Sequence, residues 1–133
     1  MKAWQKGMEL AETVYSMAEK LPLQERYSLI DQMRRAAVSV PSNIAEGHGR
    51  QSRLDFKRHL KIALGSVSEL ETQLLLSVRL GYLSLDIVKP SLRLVDETSK
   101  LIWGLLRSDL KPAHNAATDL SRLLTPVPSG SAV

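Results

Sequence analysis

At 133 residues without a cysteine, the chain has room for one domain with one real core, and disulfides, thiolate metal sites and cysteine nucleophiles are excluded. Its 44% hydrophobic and 24% charged shares are those of a globular protein, not a disordered one. The formal net charge of +4 has one source: between His48 and Lys61, five cations (Arg50, Arg53, Lys57, Arg58, Lys61) against one acid (Asp55) give +4, so the rest of the chain is neutral.

A single Phe and the lack of long apolar-polar alternation argue against a sheet and for an all-α protein. The opening MKAWQKGMEL has no apolar run of signal-peptide length, and no stretch approaches the roughly 18 apolar residues of a membrane span, so the expectation is a cytoplasmic protein. The first helix is predicted from about Trp4 to Lys20, with Trp4, Met8, Ala11, Tyr15 and Ala18 on its buried side; Leu21-Pro22 stops it. A second helix is expected from about Gln24 to Glu46. Here Ile30, Met33, Ala37, Val40 and Ile44 share an apolar side, while Arg35, Ser39, Ser42 and Glu46 keep the same steps about 200° round the helix. Pro41 falls inside this pattern, where it removes a backbone donor and crowds the Ala37 carbonyl at a cost of roughly 3 kcal/mol. A kink, or two helices nearly end to end, is therefore expected there. Gly47 and Gly49 offer the left-handed freedom that ends helices.

Ser52 is a good N-cap for the third helix, with Asp55 three residues on as in a capping box. Phe56, Leu60, Ala63, Val67, Leu70 and Leu74 then alternate steps of four and three, the seam of a bundle helix that ends near Leu80-Gly81. A fourth helix follows from about Ser84, with Leu85, Val88, Leu92, Val95, Ile102 and Leu106 inward and Pro90 in its first turns. Short connections between amphipathic helices make antiparallel neighbours, so residues 1–111 read as an up-down-up-down four-helix bundle. Residues 112–133 read as an extension, with a short helix over Asn115 to Leu124 and a tail from Thr125 to Val133. Helices three and four carry more apolar residues than one core can face. Ile62, Leu64, Leu75, Leu76 and Val78, with Leu94, Leu101, Trp103 and Leu105, point to a subunit interface.

The run SVPSNIAEG at Ser39 to Gly47, preceded by Gln32 and Arg34-Arg35-Ala36-Ala37, resembles the signature of the small four-helix-bundle proteins encoded in intervening sequences of 23S rRNA genes. The resemblance continues through Phe56, Leu60, Ala63, the stretch Gly65 to Leu76 and Leu80-Gly81-Tyr82, and it spans roughly Trp4 to Leu110. It implies a ring-like homo-oligomer, a pentamer, without known enzymatic activity. More distantly the chain is similar to the accessory protein of diversity-generating retroelements, a basic bundle that binds a reverse transcriptase and nucleic acid.

Arg50, Arg53, Lys57 and Lys61 follow steps of three, four and four, and with Arg58 they place a basic patch at the start of helix three. Cations there oppose the helix dipole, and phosphates of RNA or another nucleic acid are the natural partner for such a cluster. A solvated surface face is the competing reading. Arg35, Asn43, Glu46, Ser66 and Glu69 are candidates for a polar cluster between helices two and three, with a structural role at the Pro41 position or in helix register. Catalysis has thin support. Arg53 and His59, or Arg107 and His114, fit the loose Arg-to-His spacing of HEPN-type ribonucleases, but neither Arg is followed by the polar residue usual in that family. Asp55 and His59 lie four apart without a third and fourth metal ligand at a recognisable spacing, so they read as a surface pair. No cofactor motif is present.

Overall fold

The structure is a computed structural model that describes residues 1–108. Four helices form it: α1 (Lys2–Ala18), α2 (Leu29–His48), α3 (Arg53–Arg79) and α4 (Leu85–Arg107), with a 3-10 turn at Leu23–Glu25 between the first two. No strand occurs among the described residues, and no helix there is long and apolar enough to cross a membrane. The short helix and tail expected after Pro112 lie outside the described residues.

Each helix packs on two others, in the cyclic order α1, α2, α3, α4, with the largest interface between α2 and α3. Contacts show the direction of each pair. Gly7 meets Val40 and Pro41, and Tyr15 meets Arg34; Ser39 meets Ser66, and Glu46 meets His59; Arg53 meets Leu105; Lys6 meets Glu97, and Met17 meets Ser91. In the pairs α1–α2, α2–α3 and α1–α4, residue numbers rise on one helix as they fall on the other, so these neighbours run antiparallel.

The expected seams of α2 and α3 are core throughout: Ile30, Met33, Ala37, Val40 and Ile44 face Phe56, Leu60, Ala63, Val67, Leu70 and Leu74, all buried. In α4, Val88, Val95 and Ile102 are buried, but Leu85 is exposed and Leu94, expected outside the seam, belongs to the core. Capping explains two helix starts. Ser52 Oγ accepts from the Asp55 amide at 3.2 Å and Ser84 Oγ from the Ile87 amide at 3.3 Å. Gly81, at φ 80°, follows the last turn of α3 and supplies the left-handed residue that side chains resist.

Three local expectations are corrected. The second helix begins at Leu29 rather than Gln24, because the Glu25 carboxylate accepts from Ser28 Oγ at 2.7 Å, the Leu29 amide at 3.4 Å and Tyr82 Oη at 3.0 Å, which holds Leu23–Glu25 in its own turn. Those bonds keep the Glu25 carboxyl below its ordinary value, Ser28 being the main cause. In α1 the buried residues are Ala3, Gly7, Leu10, Thr13, Val14, Met17 and Ala18; of the expected stripe Ala18 is buried, but Trp4, Met8 and Ala11 are half-buried and Tyr15 is exposed, because the buried side runs one position ahead through Ala3, Gly7, Leu10 and Val14. Gly7 decides that rotation: the absence of a side chain lets α1 settle on α2, where an added Cβ would stand 3.3 Å from Val40 Cγ1 and 3.5 Å from Pro41 Cα. Finally, neither Gly47 nor Gly49 has a positive φ, and α2 runs through Pro41 to His48 as one helix, not as two placed end to end.

Gly47 is required for closeness instead. A Cβ there would lie 2.7 Å from the His59 Cβ and 3.3 Å from the Phe56 carbonyl oxygen, too near for α2 and α3 to keep their spacing. Gly65, in the middle of α3, has open space where its Cβ would be. Opposite outcomes follow for one substitution. Gly47→Ala is expected to destabilise by about 1–3 kcal/mol through overpacking, whereas Gly65→Ala is expected to stabilise by about 0.5–1 kcal/mol through helix propensity. Denaturant midpoints at unchanged slope measure both, and a Gly47→Ala midpoint equal to wild type would contradict the close approach.

Candidate nucleic-acid interface

The basic segment spans the end of α2 and the first turns of α3, and the structure divides its five cations into two groups. Arg50 Nη2 donates to Glu46 Oε1 at 3.0 Å, an exposed pair one helical turn apart. Arg53, the first residue of α3, turns away from the surface: Nη2 donates to the Leu105 carbonyl at 3.0 Å and the guanidinium lies 5.7 Å from the Phe56 ring centre. The adverse position of a cation at an N-terminus is thereby offset, because the charge is delivered to the negative end of α4, which runs back alongside. That partner lies 52 residues away in sequence, and spacing alone could not reveal it.

Lys57, Arg58 and Lys61 remain. None has a carboxylate within ion-pair distance among the described residues; Arg58 and Lys61 are exposed and Lys57 half-buried. On a helix they fall within about 100° of arc, so all three can address one strip of backbone phosphates. They lie beyond the first turn of α3, where the dipole penalty has decayed. Of the five expected cations, Arg50 thus pairs with Glu46 on the surface, Arg53 bonds to the end of α4, and Lys57, Arg58 and Lys61 carry no ion pair among the described residues.

Behind the strip is a polar joint between α2 and α3. Asn43 Nδ2 donates to the Ser39 carbonyl at 2.9 Å and to Ser39 Oγ at 3.0 Å, and Ser66 Oγ donates to the same Ser39 Oγ at 2.8 Å. Ser39 is its hub, a residue that sequence reasoning set on the polar side of the helix without a role. Of the five expected members, Asn43 and Ser66 meet through it. Glu46 joins a different contact with His59, while Arg35 pairs with Asp31 on the surface and Glu69 is exposed. The Asn43 amide serves Ser39 and not the Ala37 carbonyl that Pro41 leaves without its donor.

His59 corrects the expectation of a surface pair with Asp55. The ring is buried, 3% exposed; Nδ1 donates to the Asp55 backbone carbonyl at 2.9 Å, and Nε2 lies 3.5 Å from Glu46 Oε1. Of that ribonuclease-like pair, Arg53 is half-buried and bonded to α4, and His59 is buried beneath Gly47. His114, of the second such pair, lies outside the described residues. No group of three His, Asp or Glu side chains among the described residues could hold a metal ion.

A small antiparallel helix bundle with an internal polar joint and a short outward basic strip is an all-α bundle protein, and a comparison of families gives it a more particular place. The family model described as 23S rRNA-intervening sequence protein matches residues 1–104, and the chain belongs to that family. Among solved structures it is similar to a protein of unknown function from the S23 ribosomal protein family of Bacteroides thetaiotaomicron, at 26% identity and a TM-score of 0.74, over 80% of this chain and 99% of that one. No curated protein matches.

The Arg50 hydrogen bond, and secondarily the His59 ring, hold the Glu46 carboxyl below its ordinary value of 4.5. A folded value below the unfolded one means that this contribution to stability is present above 4.5 and is lost as pH falls through the lowered folded value. Glu46→Gln is accordingly expected to lose less stability than wild type on acidification from about pH 5 downward. Urea midpoints at matched pH test it, and parallel curves would remove Glu46 from the acid sensitivity.

Proposed function

We propose that this chain is a non-catalytic, homo-oligomeric scaffold that binds RNA through phosphate contacts of Lys57, Arg58 and Lys61. The observation that carries the reading is the presence of three cations without ion-pair partners among the described residues within five consecutive positions of one helix, beside two others that are paired or bonded. The family takes its description from intervening sequences of 23S rRNA, which makes RNA the favoured nucleic acid. One strip of three contacts is weak. Repetition of it around a ring of identical subunits, a pentamer in the form that the resemblance implies, converts weak contacts into avidity. Affinity is then expected to fall with salt at a log-log slope of about −0.7 per phosphate contact on single strands. Lys57→Glu with Lys61→Glu should weaken RNA binding about tenfold or more at low salt, with the helical spectrum unchanged and the RNA intact on incubation with either protein. Unchanged binding would remove the strip from the mechanism, salt-independent binding would favour a protein adaptor such as a reverse-transcriptase subunit, and RNA cleavage by the wild type would overturn the non-catalytic reading.

Self-association is supported by apolar side chains on the outward sides of α3 and α4. Ile62, Leu75, Leu76 and Trp103 are 42–49% exposed, while Leu64, Val78, Leu101 and Leu105 are partly buried against the core. Light scattering is expected to give a multiple of 14.8 kDa at micromolar concentration, and Leu76→Glu with Trp103→Glu to reduce it. A monomer mass for the wild type would sink the oligomer.

A further inference from the structure

The rotation of α1 leaves its other apolar stripe only partly covered. Trp4, Met8, Ala11 and Tyr15 stand beside Val38 and Ala45 of α2 and line an open groove of about 580 Å³ on the outside of the bundle. The Arg34 guanidinium, 5.3 Å from the Tyr15 ring centre, marks one end; Trp4 and Ala45 mark the other. Trp4, Met8 and Ala11 are only half-buried, and Tyr15 and Val38 are 41% and 45% exposed. From Trp4 to Tyr15 the stripe covers eleven helical steps, about 16 Å.

The chain itself supplies a segment of matching pattern. After Ser108 a further 25 residues follow, and between Ala113 and Leu124 the apolar residues are Ala113, Ala116, Ala117, Leu120, Leu123 and Leu124. On a helix all six fall within about 120° of arc, and twelve residues make about 18 Å, the length of the groove. Pro112 sits just before this stretch and Pro126 just beyond it, where helices start and stop. So short a helix is marginal in water by itself and needs an apolar surface to lie on.

Position allows the meeting. Arg53 bonds Leu105, and α3 begins where α2 and α1 place Gly47 and Trp4, so the described chain ends at Ser108 at the Trp4 end of the bundle. The five steps from Ser108 to Ala113 extend up to about 18 Å, roughly two interhelix spacings of 8–10 Å. That is enough to pass over the end of α1, the neighbour of α4, and enter the groove beyond it.

We propose that residues 113–124 form a fifth, amphipathic helix whose apolar face fills the α1–α2 groove of the same chain, with Leu120, Leu123 and Leu124 against the Met8 to Tyr15 part of the stripe. The two tryptophans report on two different faces: Trp4 lies in the groove and Trp103 on the outward side of α4. In the full-length chain carrying Trp103→Phe, Leu120→Asp with Leu124→Asp is expected to red-shift Trp4 emission and strengthen its quenching by acrylamide. In the companion Trp4→Phe chain the same pair should leave Trp103 unchanged. A second variant approaches from the groove: Ala11→Arg fills it and should speed trypsin cleavage after Arg122 relative to wild type, with the helical spectrum of the bundle retained. Trp4 signals insensitive to the tail pair, a response at Trp103 alone, or Trp4 protection that disappears on dilution in wild type and tail variant alike would each overturn the proposal, the last by assigning the groove to a second copy.

Discussion

The close approach of α2 and α3 is the constraint on which the rest of this bundle depends. At one end Gly47 admits the His59 Cβ and the Phe56 carbonyl into space that any side chain would occupy. Midway, Ser39 Oγ accepts from both Asn43 and Ser66, a short hydrogen-bonded network between the two helices. Apolar seams tolerate sliding by a heptad far better than hydrogen-bonded pairs do, so these contacts fix register where Leu and Ile only supply cohesion. Once register is set, Arg53 falls opposite the end of α4 and Lys57, Arg58 and Lys61 fall outward.

How much of this could be read from sequence depended on whether a helix had one apolar side or two. In α2 a single four-three stripe stands against a polar side, in α3 the four-three seam is unbroken from Phe56 to Leu74 despite further apolar residues outside it, and every expected seam residue of both is buried. Helix α1 has two stripes of identical period displaced by one residue, one of large side chains (Trp4, Met8, Ala11, Tyr15) and one that includes Ala3 and Gly7. Hydrophobicity favours the first. The second wins because Ala3 and Gly7 let the helix axes come close, and packing density outweighs the size of any one side chain. The same limit applied to the site: Arg53 and Lys57 look alike in the sequence, and only a carbonyl 52 residues away separates a helix cap from a surface cation.

Pro41 shows the reverse case, a feature plain in the sequence whose expected consequence depended on its surroundings. Interior proline removes one hydrogen bond and presses on the preceding turn. Here α2 continues through it, with Pro41 buried beneath Gly7. A proline ring is a rigid apolar surface, and the glycine opposite it leaves the crossing room: a Cβ on Gly7 would stand 3.5 Å from the Pro41 backbone. The missing donor is thus accompanied by a tight α1–α2 crossing.

If both proposals above hold, that crossing would also connect self-association to the tail. In the cyclic order of helices, the α1–α2 groove and the α3–α4 edge lie on opposite sides of the bundle. Two unlike apolar surfaces on opposite sides are what a head-to-tail contact between identical subunits requires, and such contacts close into rings when the rotation permits. A tail helix seated in the groove removes one of the two surfaces from that contact. Assembly would then have to use the α3–α4 edge against something other than the groove, or displace the tail first. Because either occupant would exclude the other, tail docking and ring closure through this groove would be linked by one free energy, and stabilising one would weaken the other by the same factor.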